Sequence, residues 1–185
     1  MKPQWLERLE HSLTKHKHIP SSIFAQLATV DLGNCPANRT VVFRSFVDEK
    51  LVFATRNDAA KVSQILNNPW AELCWYFIET REQYRILGRC EVIDSSSIEM
   101  QKTREHIWQT LSDSSKQMFA WPASGKPVDS PESYQNPVVH LMPEQFVLIV
   151  LEPVKVDIVD LHHMPHQRHI YTLTDATWVT QRVNP

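Results

Sequence analysis

Asn38-Arg39-Thr40-Val41-Val42-Phe43-Arg44-Ser45-Phe46, followed by Val47-Asp48-Glu49-Lys50 and Leu51-Val52-Phe53-Ala54-Thr55, decides the fold. Two runs rich in β-branched and aromatic residues, 38–46 and 51–55, flank a four-residue connection that reads as a tight hairpin. Working outward, Ile23 to Val30 is a similar run that ends in the turn signal Asp31-Leu32-Gly33-Asn34. Ala71 to Ile78 is strongly apolar, and Gln83 to Ile93 is interrupted by Arg85 and Arg89, which predicts one exposed face. Phe146 to Val159, His166 to Leu173 and Trp178 to Val183 supply the last strands. Many short strands with hairpin turns predict a mainly β chain with flanking helices, folded as an antiparallel barrel or a sandwich. A parallel sheet of βαβ units needs a helix after nearly every strand, so the closed barrel is the better reading.

Three helices are expected. Trp5, Leu6, Leu9 and Leu13 recur at helical spacing over residues 4–16, with Pro20 beyond. Asp58 reads as the cap of a second helix carrying Val62, Ile65 and Leu66 on one face, ended by Pro69. A third runs from about 97 to 111, with Ile98, Ile107 and Leu111 turned to the core. Residues 122–137 hold four prolines, a glycine and three serines, a loop within one domain spanning 1–185 rather than a linker.

Composition narrows the function. Hydrophobic residues make up 42% and charged residues 22%, and 19 basic against 21 acidic residues leave a charge of −2. That balance gives no general attraction for nucleic acid or an anionic membrane, so any basic site must be local. No apolar run has the length of a membrane span, and Met1-Lys2-Pro3-Gln4-Trp5 lacks the apolar stretch of a secretory signal. Cys35, Cys74 and Cys90 are an odd set without metal spacing. They are expected as buried or neutral thiols in a reducing cytoplasm.

The cations that matter sit on the opening stretch. Arg39 and Arg44 bracket Thr40 to Phe43, and Lys61 opens the helix that follows Thr55. Guanidinium forks and the free N–H groups of a helix start suit a phosphate monoester. Two readings stand at this point, a phosphate pocket or solvated charges on a barrel surface. Arg39 and Arg44 are separated by an odd number of positions, so a regular strand points them to opposite faces unless a bulge intervenes.

His162, His163, His166 and His169 invite a metal reading, but Pro165 breaks the run and the spacing fits no common site, so a polar loop is expected. With only three glycines in the chain, neither a GxGxxG turn nor a phosphate-binding P-loop is present. There is no GxSxG elbow, and no acidic pair has a diagnostic spacing, which leaves the catalytic residues unknown.

Arg39 to Arg44, Phe53-Ala54-Thr55, Lys61 to Pro69, Arg81-Glu82-Gln83 with Gly88, and Gln167-Arg168-His169-Ile170-Tyr171 with Trp178 and Arg182 to Pro185 together resemble the pyridoxamine 5'-phosphate oxidase superfamily, the FMN-binding split barrels. The matching segments run from about Phe24 to Gly88 and from about Phe146 to Pro185. The chain is most similar to an oxidase-like bacterial subgroup that also carries Trp75-Tyr76-Phe77 and Phe119-Ala120-Trp121-Pro122.

The resemblance implies a site. Arg39, Lys61 and Arg44 would hold the FMN phosphate and ribityl chain, with Ala54 and Thr55 on the adjoining hairpin strand. The backbone of Thr40, Val41 and Val42 and the amide of Gln83 would face the ring. Family geometry puts the flavin between the subunits of a homodimer, so Arg168 and the Trp121 region would come from the second chain.

The resemblance also has departures. Where the oxidase has Arg-x-His-x-Arg for its substrate phosphate, this chain has Met164-Pro165-His166-Gln167-Arg168. Ile158 stands for a flavin-side Trp, and no clear match to the central substrate segment lies near Arg104. The expected function is an FMN-dependent oxidoreductase acting on an unidentified small molecule. The alternatives are a non-catalytic flavin-binding or redox-sensing module, or a haem- or deazaflavin-binding barrel with one of the histidines as ligand.

Overall fold

Alternation of apolar and polar residues builds the sheet. In a computed structural model that describes residues 2–135 and 138–185, the strands are β1 Phe24–Val30, β2 Pro36–Val47, β3 Lys50–Arg56, β4 Trp70–Phe77, β5 Glu82–Ile93, β6 Phe146–Asp160, β7 Gln167–Thr174 and β8 Thr177–Val183. The helices are α1 Gln4–Lys15, α2 Ala60–Asn67, α3 Gln101–Thr110 and α4 Asp113–Gln117. The strand order is β3-β2-β1-β4-β5-β6-β7-β8, and β3 also pairs with β6. All pairings are antiparallel, so β3, β2, β1, β4, β5 and β6 close into a six-stranded barrel, with β7 and β8 as an extension.

β6 makes closure and extension possible. Its first half, from Phe146 to Leu151, pairs with β3, and Lys155 to Asp160 pair with β7. β5 follows both halves across a register shift, with Gly88 opposite Pro153 and Leu87 opposite Lys155. A Cβ at Gly88 would lie 2.2 Å from the Glu152 carbonyl oxygen, so only glycine lets the two backbones approach there.

Leu27, Phe53, Leu73, Trp75, Tyr84, Ile86 and Ile149 are buried inside the barrel. α1 packs on this core through Trp5, Leu6 and Leu9, all buried. Each such side chain contributes about 1.5–3 kcal/mol through burial. A second cluster joins Ile107, Trp108 and Leu111 to Val52, Phe146, Leu148 and Val150. That packing places the segment after α3 beside β3.

Several expectations are corrected. Asp58 does not cap α2, whose N-cap is Ala59 with no side-chain bond; its carboxylate is held by Arg56 instead. Leu66 is 71% exposed and Ile98 is 90% exposed, so neither belongs to the core. Ile98 precedes α3, which starts at Gln101, because Asp94 accepts hydrogen bonds from Ser96 and keeps that stretch in a turn. Of the three thiols expected to be buried or neutral, Cys90 is buried, Cys74 is half-buried and Cys35 is exposed. Burial pushes the Cys90 thiol up to about 12. Of the loop expected over 122–137, residues 136 and 137 lie outside the described residues. Among the described residues no helix is long and apolar enough to cross a membrane.

Candidate functional site

β2, β3, the start of α2 and the chain from Leu111 to Lys126 enclose a cavity of about 510 Å³. Thr40, Val41, Val42 and Arg44 line it from β2, Phe53, Ala54 and Thr55 from β3, and Lys61 from α2. Arg44 is the extra residue of a bulge, since Phe43 pairs with Phe53 and Ser45 with Val52. The bulge lets Phe43 and Phe46 both pack against the core, with ring centroids 4.7 Å apart. Arg39 lies across from Leu27 on the alternation of Val41 and Phe43, and Arg44 on that of Thr40 and Val42. The parity argument therefore holds, and the two arginines serve different sides of the strand.

Arg39 does not line the cavity. Its Nη1 donates to the Leu27 carbonyl at 3.1 Å and to Thr29 Oγ1 at 2.6 Å, and its Nη2 donates to Gln64 Oε1 at 2.7 Å. These acceptors are neutral, so the charge of Arg39 is oriented but not cancelled. Lys61 donates to Thr55 Oγ1 at 2.9 Å. Burial lowers the Lys61 ammonium, and the neighbouring Arg39 charge lowers it further. Burial also lowers Arg44.

Two buried donors at the cavity, Arg44 Nε and Trp121 Nε1, have no hydrogen-bond partner among the described residues. Unpaired buried donors are costly unless an acceptor arrives. Among the described residues, Arg44 and Lys61 thus line the cavity without an ion-pair partner, beside donors without an acceptor, which suits a ligand rich in anionic oxygen. That is a fit for the phosphate and polar chain of FMN.

Arg56 was missing from the sequence reading. Its fork grips Asp58 at 2.9 and 2.8 Å, and its Nη1 donates to the Trp121 carbonyl at 2.6 Å. The Ser124 amide donates to Asp58 at 3.2 Å. Burial pushes the Asp58 carboxyl up, but the Arg56 and Ser124 hydrogen bonds outweigh it and hold it low. The pair therefore ties the 118–124 stretch to β3. The only sequence signal was a cation two positions before a carboxylate.

Trp121 lines the cavity of its own chain and packs edge-on against Tyr134 at 5.5 Å. This differs from its expected arrival from a second chain, because the short turns after α3 bring it back to Arg56. Gln83 and Arg168 are elsewhere. Gln83 lies opposite Tyr76 and Val159, and Arg168 opposite Val159 and Val183. Both sit beside Val159 of β6, ten positions along that strand from Ile149, which lines the cavity opposite Phe53, roughly 33 Å at a strand's rise per residue.

The departures also acquire places. Ile158 is fully buried in the barrel and Met164 is 83% exposed. Arg104 is buried and donates to the Phe146 carbonyl at 2.8 Å and to Gln101 Oε1 at 2.7 Å, a structural role. Among the described residues no three His, Cys, Asp or Glu side chains converge as a metal site. His163 instead lies 3.0 Å from Asp160.

Comparison with known proteins identifies the family and the fold. Residues 2–94 match the family described as pyridoxamine 5'-phosphate oxidase, FMN-binding domain. A pyridoxine/pyridoxamine 5'-phosphate oxidase 2 from Arabidopsis thaliana is 34% identical over 194 residues, covering 98% of this chain and 96% of the relative. The crystal structure of a pyridoxamine 5'-phosphate oxidase-related, FMN binding protein from Nostoc punctiforme PCC 73102 superposes with a TM-score of 0.93. The two are 36% identical, and each chain is covered completely. PhzG from Burkholderia lata 383, solved with tetrahydrophenazine-1-carboxylic acid, has a TM-score of 0.83 at 21% identity, covering 100% of this chain and 94% of that one, and shares the fold. A six-stranded antiparallel barrel with this sequence match over half the chain and a full-length relative belongs to the pyridoxamine 5'-phosphate oxidase FMN-binding family.

Proposed function

We propose that this chain is an FMN-dependent oxidoreductase of a small molecule, working as a homodimer with the flavin between the two chains. The observation that carries the reading is the cavity in which, among the described residues, Arg44 and Lys61 have no ion-pair partner and two buried donors lack acceptors. Lys61, backed by the Arg39 charge, would hold the phosphate, and Arg44 the polar chain next to it. The backbone from Thr40 to Val42 would face the ring, and the Gln83 amide, which shares the Val159 row with Arg168, would reach it from the partner chain. Bound flavin supplies the electron transfer, and the protein supplies binding, orientation and shelter from water. Trp121 and the stretch held by Arg56 would exclude water from one side.

Arg168 is too far from the cavity of its own chain to join it, so it would come from the partner. The same outer face carries Phe24 and Tyr76, exposed at 44% and 48%, apolar area that a second copy would cover. Three free cysteines, one exposed, fit a reducing compartment, and the cytoplasm is proposed on that ground. The Arabidopsis relative's name makes pyridoxine and pyridoxamine 5'-phosphates the first substrates to test.

The test is an absorption spectrum of the purified chain before and after adding FMN. Flavin bands that follow the protein through gel filtration, at a dimer's mass, support the reading. A colourless protein that takes up no FMN overturns it. A second reading, a flavin-binding module without turnover, is favoured by exposed Met164 standing where the oxidase has its substrate arginine. Turnover of either vitamin phosphate in a steady-state screen would exclude that module.

A further inference from the structure

β5, β6 and β7 bring three charged side chains together on the outer face of the sheet, away from the cavity. Asp157 is 5% exposed. Its Oδ1 accepts from Arg168 Nε at 3.0 Å, and its Oδ2 accepts from Arg168 Nη2 at 2.8 Å. Arg85 donates to the same Oδ2. Two guanidinium groups thus share one carboxylate, which leaves one net positive charge. Both arginines stay partly open, with side chains 40% and 29% exposed for Arg85 and Arg168.

A carboxylate gripping one edge of a guanidinium fixes the plane of the whole fork. Arg168 uses Nε and Nη2 on Asp157, and its Nη1 has no hydrogen-bond partner among the described residues. It is therefore a directional donor, locked at one edge and free at the other. The adjacent Ile158 is buried in the barrel, so the neighbouring strand position cannot do this.

The geometry points to Asp157 as a positioning residue for the flavin. It aims the Arg168 fork and, by serving Arg85 as well, sets the charge that one chain presents to the FMN of its partner. This inference rests on the proposal that Arg168 reaches the second chain's flavin. Reduction adds negative charge to the flavin ring, so a nearby cation favours the reduced form and raises the midpoint potential. Converting Asp157 to Asn keeps the shape but removes the carboxylate charge, and the cluster goes from one net positive charge to two.

The experiment uses the full-length chain reconstituted with FMN, as wild type, Asp157→Asn, Asp157→Glu and Arg168→Ala. FMN affinity is measured by fluorescence titration and the midpoint potential by equilibration with a redox dye. The expected result is a raised potential in Asp157→Asn, a lowered one in Arg168→Ala, and a smaller change in Asp157→Glu. If Asp157→Asn binds FMN at the wild-type potential, Asp157 is only a structural ion-pair partner and the inference is overturned. An unchanged potential in Arg168→Ala overturns it too, because the residue being positioned then does not sense the flavin. Should Asp157→Asn fail to fold, a lowered potential in Arg168→Ala with a shift in Asp157→Glu upholds the assignment, and wild-type values in either overturn it. A wild-type chain that takes up no FMN overturns the proposed function itself, and this inference with it.

Discussion

Arg56 Nη1 donates to the carbonyl oxygen of Trp121 at 2.6 Å while the rest of its fork holds Asp58. One guanidinium therefore joins β3 to the chain segment that forms a wall of the cavity. Charge-assisted hydrogen bonds of this kind contribute about 1.5–3 kcal/mol each. Arg56→Ala is expected to loosen the wall and weaken FMN binding about tenfold, since about 1.4 kcal/mol corresponds to a factor of ten. Limited proteolysis should then cut between Met118 and Lys126 faster than in the wild type. Unchanged affinity and unchanged protection would show that the strap does not hold the site.

Lys61 and Arg39 separate binding from support. Lys61→Gln removes a cation from the cavity, and the expected effect is FMN affinity at least about tenfold weaker, the loss of one charged hydrogen bond. Arg39→Ala should weaken FMN in the same direction and also lower stability. Its removal takes the guanidinium donors from Thr29 Oγ1 and Gln64 Oε1, both buried, and leaves them their direct hydrogen bond. Urea unfolding alongside fluorescence titration distinguishes the two. If Lys61→Gln bound FMN normally, the phosphate assignment would be wrong.

The strands were legible because the alternation is strong and the connections are short, and the hairpin from Asn38 to Thr55 lies within the observed β2 and β3. The closed barrel was legible as well, from many short strands and few helices, but the strand pairing that closes it was not. That pairing joins β6 to β3 across about 90–100 residues and to β5 across about 55–78, and no local pattern encodes such a partner. Arg44 and Lys61 were readable as cations near one another. Arg56 was not, because its value depends on where Trp121 returns after α3. The Asp58 and Ile98 expectations failed for a shared reason, in that local capping and periodicity lost to turns and ion pairs that the surrounding fold supplies.

Gly88 faces the Glu152 carbonyl across the irregular part of the β5–β6 pairing. A Cβ there would sit 2.2 Å from that oxygen and 2.8 Å from its carbon, both backbone atoms that cannot swing away. Gly88→Ala is expected to destabilise the chain by about 2–3 kcal/mol, in the range for overpacked sites. Urea unfolding monitored by tryptophan fluorescence measures it. Wild-type stability would mean that the two strands can separate there without loss.

Stability should fall with acid in two stages. Burial, with the charges of Arg8 and Arg182, lowers the His169 imidazole below its ordinary value of 6.5. The folded state then holds fewer protons than the unfolded one, so stability is complete above 6.5 and declines as the pH falls through that value. Asp157 acts lower down. Burial pushes its carboxyl up from the ordinary 3.8, but the hydrogen bonds and charges of Arg168 and Arg85 outweigh burial and hold it below. Its contribution is present above the unfolded value and is lost as the pH drops through the folded one. A series of urea midpoints from neutral pH downward should show a shallow decline beginning near 6.5 and a steeper one below about 4. Asp157→Asn should make the lower stage shallower, with Asp58 and Asp160, also held low, keeping the rest of it, and should keep the upper one. His169→Asn should do the reverse, and profiles of unchanged shape in both variants would remove these two groups as the origin of the acid response.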